Sequence, residues 1–413
     1  MKIPNHPGPL RFAALAAPLL AVAALAGCAT PASGDTAAAA SDTASTETEV
    51  QAPRVVVTYD GGVLVLEGDS LEIAGDIPLD GFLRVNPAGD ERHVIVSTDD
   101  AFRVLDTGVT IDRHGDHAHY YAEAPELTGT TFPAEHPGHV TTHAGTTALF
   151  ADGTGRVDLF DPTELEDGEP EVEVHESAEA HHGVTVALDG GRLLTTIGDE
   201  EARNGAIVLD DSGEEIARTE DCPGVHGETV AADEVIVLGC ENGAVVYRDG
   251  VFTKVAAPDA YGRIGNQAGS SESPIVLGDY KVDADAELER PQRVSLIDTD
   301  AATVRLVDLG TSYTFRSLAR GPHGEALVLG TDGAIHVIDP VSGAVTKRIP
   351  VVDAWAEPLE WQEPRPALEV RGHRANVTDP AASAVHVVEL DSGEITATAE
   401  LPEVPNELTT VGE

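Results

Sequence analysis

A repeated β-hairpin constrains the fold of this chain more than any other sequence feature. Residues 149–161, 237–247 and 328–339 each contain a hydrophobic strand, a turn built on Asp-Gly or Asn-Gly, and a second hydrophobic strand. Strand groups of this kind recur roughly every 35 to 50 residues, which is the period of propellers and solenoids. No helical apolar pattern of useful length follows the N-terminal segment, so we predict an all-β protein.

Counting the repeats gives seven complete units, centred on residues 94–105, 146–160, 192–209, 235–247, 274–297, 326–338 and 375–388. A partial unit over residues 55–77 lacks an innermost strand, which residues 406–412 could supply. We therefore predict a single β-propeller of eight blades, closed by N- and C-terminal strands in one blade. Such closure removes free sheet edges. Seven blades is the alternative, if the partial unit merely extends a neighbour.

The N-terminus has the pattern of an export signal. Lys2 and Arg11 precede an apolar run over residues 12–26, and Leu25-Ala26-Gly27-Cys28 resembles the bacterial lipobox. We predict a lipoprotein signal peptide over residues 1–28 with lipidation at Cys28, an ordinary signal peptide being the alternative. Residues 29–53 read as a disordered tether, because they offer almost nothing to bury, and residues 54–413 as the propeller. The mature protein would be an exported lipoprotein on the extracytoplasmic face of the cell membrane.

The charge of the chain excludes two classes of partner. It has 72 acidic against 25 basic residues and a formal net charge of -47. Such a surface repels nucleic acid and anionic lipid headgroups, so membrane contact is expected through the lipid anchor only. We expect a monomer.

Two cysteines remain if Cys28 carries lipid. In an exported protein Cys222 and Cys240 are expected to form a disulfide. A thiolate metal site is the alternative.

Histidines are the main clue to function, because ten of the sixteen lie between residues 114 and 226. Neutral imidazole is the commonest protein ligand for zinc and copper. His117 and His119 are two residues apart and would project from one face of a strand, with His114 and Asp116 beside them. This segment is predicted to bind metal; a solvated polar loop is the alternative.

A second histidine set repeats across the units. His139, His182 and His226 each adjoin a glycine at the start of a predicted innermost strand, in three consecutive units. Innermost strands line the channel of a propeller, so these imidazoles are predicted to converge on one ion, hydrated channel-lining residues being the alternative. Weaker or supporting candidates are Asp116, His136, His143, His181 and Glu228.

Four segments together resemble the AztD-type zinc metallochaperones. They are His-Gly-Asp-His-Ala-His-Tyr at residues 114–120, Gly-His-Val at 138–140, Ala-His-His-Gly-Val at 180–184 and Cys-Pro-Gly-Val-His-Gly-Glu at 222–228. The resemblance covers residues 54–413. It implies a secreted β-propeller that hands zinc to the solute-binding protein of a zinc ABC transporter. It also implies zinc ligands among His114, His117, His119, His139, His182 and His226.

One departure from that family concerns the tether. Members can carry a flexible histidine-rich stretch near the mature N-terminus, whereas residues 30–51 contain no histidine. A second, mobile zinc site near the N-terminus is therefore not expected.

Two other functions compete with a zinc carrier. One is a metal-dependent propeller hydrolase of the lactonase kind, with Glu228 as a general base. Propeller lactonases hold calcium through oxygen ligands, whereas the candidates here are imidazoles, which favours zinc. The other is a metal-free extracellular interaction scaffold. We predict a zinc carrier that is not an enzyme.

Overall fold

The protein is described by a computed structural model that covers residues 46–48, 53–114, 117–199 and 201–412, with side chains for all of these except residues 46–48 and 112–118. Strands dominate, and the helical segments of the described part are two short 3-10 turns, Pro162–Asp167 and Ala232–Glu234. No helix in the described ranges is long and apolar enough to cross a bilayer. The predicted signal peptide, Cys28 and most of the tether lie outside the described residues.

Eight four-stranded antiparallel sheets form the blades of a propeller, as predicted, and the seven-blade alternative is wrong. The seven complete sequence units coincide with the two middle strands of blades 2 to 8. We number the strands along the chain and list each blade from its innermost to its outermost strand.

Blade 1 contains β36 (Leu408–Val411), β2 (Arg54–Tyr59), β3 (Gly62–Glu67) and β4 (Ile73–Pro78). Blade 2 contains β5 (Arg84–Pro87), β6 (His93–Ser97), β7 (Ala101–Asp106) and β10 (Glu126–Pro133). Blade 3 contains β11 (Pro137–His143), β12 (Thr146–Ala151), β13 (Arg156–Phe160) and β14 (Glu173–Glu176). Blade 4 contains β15 (Thr185–Leu188), β16 (Arg192–Gly198), β17 (Arg203–Leu209) and β18 (Glu215–Thr219).

Blade 5 contains β19 (His226–Ala231), β20 (Val235–Cys240), β21 (Asn242–Arg248) and β22 (Val251–Ala256), and the short β23 (Gly262–Arg263) pairs with β21. Blade 6 contains β24 (Gln267–Ser270), β25 (Ser273–Gly278), β26 (Arg293–Asp298) and β27 (Thr303–Asp308). Blade 7 contains β28 (Leu318–Arg320), β29 (Ala326–Leu329), β30 (Ala334–Ile338) and β31 (Val345–Pro350). Blade 8 contains β32 (Leu368–Arg371), β33 (Arg374–Asp379), β34 (Ala384–Glu389) and β35 (Glu394–Glu400).

The two ends of the propeller sequence close the ring in blade 1. The C-terminal strand β36 pairs antiparallel with β2, with Val411 opposite Arg54 and Leu408 opposite Val57. This is the closure that the incomplete first repeat predicted. It pairs the inner edge of β2, which would otherwise be open to association with another chain.

The hydrophobic core lies between neighbouring blades rather than at the centre of the ring. Ile95 and Phe102 of blade 2 pack with Leu149 and Phe160 of blade 3, for example. Each such buried side chain contributes about 1.5–3 kcal/mol relative to an exposed one. Because both faces of most blades are covered this way, the two middle strands are hydrophobic along almost their whole length, as in β20, where all six residues are buried.

The strand directions define two faces of the ring. All innermost strands begin at one face, which we call the top face, and end at the other, the bottom face. Turns between the second and third strands of a blade therefore also lie at the top face. Turns between the first and second strands, or between the third and fourth, lie at the bottom face.

A separate hairpin interrupts blade 2. The strands β8 (Val109–His114) and β9 (His117–Ala122) lie between the third and outermost strands of that blade, so the hairpin leaves the ring at the bottom face. The short β1 (Thr46–Thr48) pairs with β9, with Thr46 opposite Ala122. This three-stranded sheet belongs to no blade. The limits predicted for the signal peptide, tether and propeller stay predictions.

Candidate metal centre

Three histidines from three consecutive blades meet at the top end of the channel. His139 is the third residue of β11, His182 precedes β15 by three residues, and His226 is the first residue of β19. Each offers one ring nitrogen, and the three atoms lie within 4.8 Å of one another. The ring centroids are 5.0 to 5.4 Å apart. The structure thus brings together the set that its repeated position in the sequence had singled out.

The glycines beside these histidines allow the close approach. A Cβ atom at Gly138 would lie 2.1 Å from a carboxylate oxygen of Asp152, so a larger residue there would displace the carboxylate that contacts His182. Gly227 has a φ of 70° and forms a β-bulge, since the pairing with β20 shifts between His226 and Glu228. A bulge redirects the side chain next to it, here His226, into the channel mouth.

Hydrogen bonds fix which nitrogen of His182 and His226 is free. Nδ1 of His182 donates to Oδ2 of Asp152 at 2.6 Å, and Nδ1 of His226 donates to the carbonyl oxygen of Gly265 at 2.6 Å. A carbonyl oxygen can only accept, so the proton of His226 must sit on Nδ1. In both rings the Nε2 lone pair is then available to a metal ion, which is the arrangement that orients histidine ligands in metalloproteins.

The distance between two of these nitrogens suits a tetrahedral ion. Nε2 of His139 lies 3.3 Å from Nε2 of His182. Two nitrogens each about 2.0–2.1 Å from a tetrahedral zinc are about 3.3–3.4 Å apart. Three nitrogen donors with one position left open therefore fit the donor set of an exchangeable zinc site.

Two of the three imidazoles, those of His139 and His226, are held in the neutral form that binds metal. Burial lowers the pKa of His139 to about 3, and the neighbouring His182 adds to this effect. Burial likewise lowers the pKa of His226 well below its usual 6.5. The carboxyl group of Glu228 lies 3.4 Å from Nδ1 of His139, and burial raises the pKa of Glu228 to about 8. Both members of this pair are accordingly neutral at pH 7.

The three histidines His139, His182 and His226, which we call the triad, are reached from solvent through a cavity of about 600 Å³. His182 and His226 form part of its wall, and charged side chains of both signs line the rest: Asp199, Glu201, Arg203, Glu241 and Arg263. An ion or an incoming ligand therefore has a polar route to the open coordination position.

A disulfide between Cys222 and Cys240 supports the loop that carries His226, as expected for an exported pair. Cys222 precedes β19 and Cys240 ends β20, so the bond ties the loop to the second strand of blade 5. The backbone N–H of Gly224 donates to the carbonyl oxygen of Arg203, and that of Glu241 to the carbonyl oxygen of Pro223. These bonds fix the loop from both neighbouring blades.

The histidine-rich segment lies elsewhere. His114 ends β8 and His117 begins β9, on the hairpin whose root is at the bottom face, opposite the triad. The side chains of His114 and His117, and all of Asp116, lie outside the described residues. The ring of His119 lies alongside that of Tyr121, with centroids 6.5 Å apart.

The remaining sequence candidates are not part of the triad. His181 is buried, and its ring nitrogens face the carbonyl oxygen of Glu179 and the hydroxyl of Thr196. His143 ends β11 at the bottom face and contacts the carbonyl oxygen of Ala187 and the carboxylate of Glu234. His136 is exposed in the turn before β11.

The groups that orient the triad were not among the residues that the sequence predicted. Asp152 comes from the turn between β12 and β13 of blade 3 and reaches His182 of blade 4. Gly265 precedes β24, and its N–H donates to the buried carboxylate of Asp279 at 2.6 Å. Asp152 begins an Asp-Gly turn, so its presence in the sequence is already explained by the turn and does not indicate a contact with His182. A backbone carbonyl such as that of Gly265 leaves no sequence signal at all.

Comparison with known proteins agrees with this architecture. No family model matches the chain. The zinc chaperone AztD of Citrobacter koseri is 25% identical over 320 residues, which are 74% of this chain and 73% of that protein. The crystal structure of Citrobacter koseri AztD superimposes with a TM-score of 0.77 at 22% identity, covering 88% of this chain and 99% of the other. The apo structure of AztD from Citrobacter koseri superimposes with a TM-score of 0.75 at 21% identity and with the same coverage.

The propeller fold alone does not specify a function. The dihydro-heme d1 dehydrogenase NirN shares it with a TM-score of 0.56 at 14% identity, over 87% of this chain and 74% of that one. The sequence relative is named a chaperone and not an enzyme, in line with the expectation for this chain. The resemblance inferred from the histidine segments is confirmed: this chain is similar in sequence and in fold to the zinc chaperone AztD.

Proposed function

We propose that this protein is an extracytoplasmic zinc chaperone that carries one ion on His139, His182 and His226. The observation that carries the proposal is the convergence of the three imidazoles, with ligand atoms within 4.8 Å of one another. The name of the relative AztD supports zinc as the cargo. Three imidazole nitrogen donors also favour zinc over calcium or magnesium, which prefer oxygen ligands.

The open fourth position suits a carrier that gives up its ion. An acceptor ligand entering through the cavity beside His182 and His226 can bind the ion before the histidines release it. We propose that the acceptor is the solute-binding protein of a zinc ABC transporter. We further propose that the protein is exported as a monomer and anchored by lipid at Cys28.

A hydrolase is less compatible with the position of Glu228. A general base in a zinc hydrolase must reach the water at the open coordination position. Glu228 instead contacts Nδ1 of His139, the nitrogen that faces away from the Nε2 pair. It therefore lies behind a ligand, where it supports the ring.

Zinc titration against a competing chelator tests the binding site. The variant H139A/H182A should lose the tight binding of the wild-type chain, because it removes two of the three donors. His175→Ala, on the outermost strand of the same blade as His139, is the matched control and should bind as the wild type does. Equal affinity of the double variant and the wild type would exclude the triad as the site.

A transfer assay tests the chaperone role. The zinc-loaded protein is mixed with the apo form of the solute-binding protein, and the rate of transfer is compared with the rate of release to a chelator. Transfer that is faster and that rises with acceptor concentration supports direct exchange. Transfer no faster than release would reduce the role to storage.

A further inference from the structure

Two further histidines, one from blade 7 and one from blade 8, meet at the rim of the propeller. His323 lies in the turn between β28 and β29, His373 in the turn between β32 and β33, and Asp391 in the turn between β34 and β35. Their candidate ligand atoms all lie within 4.8 Å of one another. The rings of His323 and His373 are 5.4 Å apart between centroids and meet edge to face. Two blades thus contribute to one cluster.

This rim cluster, which we define as His323, His373 and Asp391, lies on the opposite face from the triad. The triad stands where innermost strands begin, at the top face. His323 and His373 stand where innermost strands end, and Asp391 stands between a third and a fourth strand. All three turns are therefore at the bottom face, so the rim cluster cannot share an ion with the triad.

The backbone around the rim cluster is fixed although its side chains are exposed. His373 is in a two-residue hairpin turn, and its carbonyl oxygen accepts from the N–H of Leu390 at 2.9 Å. The N–H of His323 donates to the carboxylate of Glu325 at 3.0 Å. Lys347 donates to the carbonyl oxygen of Asp391 at 2.9 Å, which anchors the third turn. The backbone therefore already holds the three side chains close to the positions from which they could bind one ion.

Contacts within the rim cluster already suit metal ligation. Nδ1 of His373 lies 3.0 Å from Oδ2 of Asp391. The two arginines of the same hairpin are engaged elsewhere, since Arg371 pairs with Glu91 and Arg374 with Asp69. Their charges are thereby partly neutralised. The chain as a whole carries a net charge of -47, which raises the local concentration of cations.

We propose that the rim cluster is a second binding site for a divalent transition metal, with two nitrogen donors and one oxygen donor and the other positions left to water. This donor set selects zinc, nickel or copper over magnesium and calcium. The site binds more weakly than the triad, because the side chains of His373 and Asp391 are 48% and 64% exposed and must be ordered on binding. The proposal does not depend on the function of the triad.

Calorimetric titration with zinc tests the site. The mature chain is first loaded with one equivalent of zinc, and all proteins carry His114→Ala, His117→Ala and His119→Ala so that the inserted hairpin does not contribute. With the rim histidines intact, a weaker binding phase of one equivalent is expected. H323A/H373A should lose this phase, and Asp391→Asn should weaken it by about 10-fold. His386→Ala in blade 8 is the matched control and should leave it unchanged.

A weaker phase with the same stoichiometry and affinity in H323A/H373A would overturn the proposal, and so would its absence when the rim histidines are present. Both variants alter exposed turns, and unchanged thermal unfolding checks that they fold. The triad is monitored separately by chelator competition. Failure of the triad as a tight site therefore shows in the first equivalent, and failure of the rim cluster in the second.

Discussion

The triad and the inserted hairpin differ in how their histidines are distributed. On the hairpin, His114, His117 and His119 are neighbours in sequence, on two strands that belong to no blade. In the triad of His139, His182 and His226, successive members are 43 and 44 residues apart, and they meet because each lies within three residues of the start of an innermost strand. The histidines that are closest in sequence are thus not the ones that converge in the triad. In the triad, partners on neighbouring blades fix two of the ring orientations, Asp152 that of His182 and Gly265 that of His226.

The largest expected effect separates these two regions directly. H139A/H182A should weaken the tight zinc site on the order of 1,000-fold or more, because removing even one orienting partner of a ligand costs about 10- to 100-fold. H117A/H119A should change the dissociation constant of the tight zinc site by less than about 3-fold, since the hairpin leaves the ring at the bottom face. Chelator competition at pH 7.5 measures both. The comparison fails if the hairpin variant is the one that loses tight binding.

The disulfide tests how much the scaffold of the triad contributes. C222A/C240A should lower the free energy of unfolding by about 3 kcal/mol, because the bond closes a loop across a sequence separation of 18 residues. Urea unfolding of the metal-free proteins measures this. Reductant should destabilise the wild type by a similar amount and leave the variant unaffected. Equal midpoints for variant and wild type would show that the loop needs no covalent tie.

Asp152 tests how much the orientation of His182 contributes to zinc binding by the triad. Asp152→Asn should weaken tight zinc binding by about 10- to 100-fold, because an amide holds Nδ1 of His182 less strongly than a carboxylate does. Asp167→Asn, exposed in the same blade, is the matched control and should bind as the wild type does. An unchanged dissociation constant for zinc in Asp152→Asn would mean that the convergence of the three histidines suffices for tight binding.

The smallest effect concerns burial in the channel wall. Glu369 lies on innermost strand β32, and burial raises its pKa from 4.5 to about 7. A carboxyl group with a raised pKa favours the folded state at low pH, and this contribution is lost as pH rises from about 4.5 through 7. Glu369→Gln should therefore be more stable than the wild type by about 1–2 kcal/mol at pH 8, a figure reduced because the Glu369 side chain is partly exposed to solvent.

Urea unfolding at pH 5 and pH 8 checks this prediction. The advantage of Glu369→Gln should shrink at pH 5, where the folded wild type keeps its proton. Glu394→Gln, on the outermost strand of the same blade, should give no difference at either pH. A constant difference across the range would mean that burial does not control ionisation along the channel wall. Burial would then also fail to account for the low pKa of His139.

Much of the architecture was readable from local patterns. Turns on Asp-Gly and Asn-Gly between hydrophobic strands set the repeat, and the missing strand of the first unit predicted that β36 would pair with β2. The alignment of His139, His182 and His226 in successive repeats was also visible. The inserted hairpin was not placed, because a polar β-segment between two blade strands has the same local pattern whether it joins the sheet or leaves it.

The repeat, its closure and the three equivalent histidine positions follow from local sequence, because strand alternation and turn chemistry act between near neighbours in the chain. Which groups meet across blades depends instead on the closed ring. Asp152 reaches His182, the carbonyl oxygen of Gly265 reaches His226, and His323 meets His373. These contacts depend on the ring bringing distant turns to one face, and a backbone carbonyl can act as a partner whatever side chain it carries.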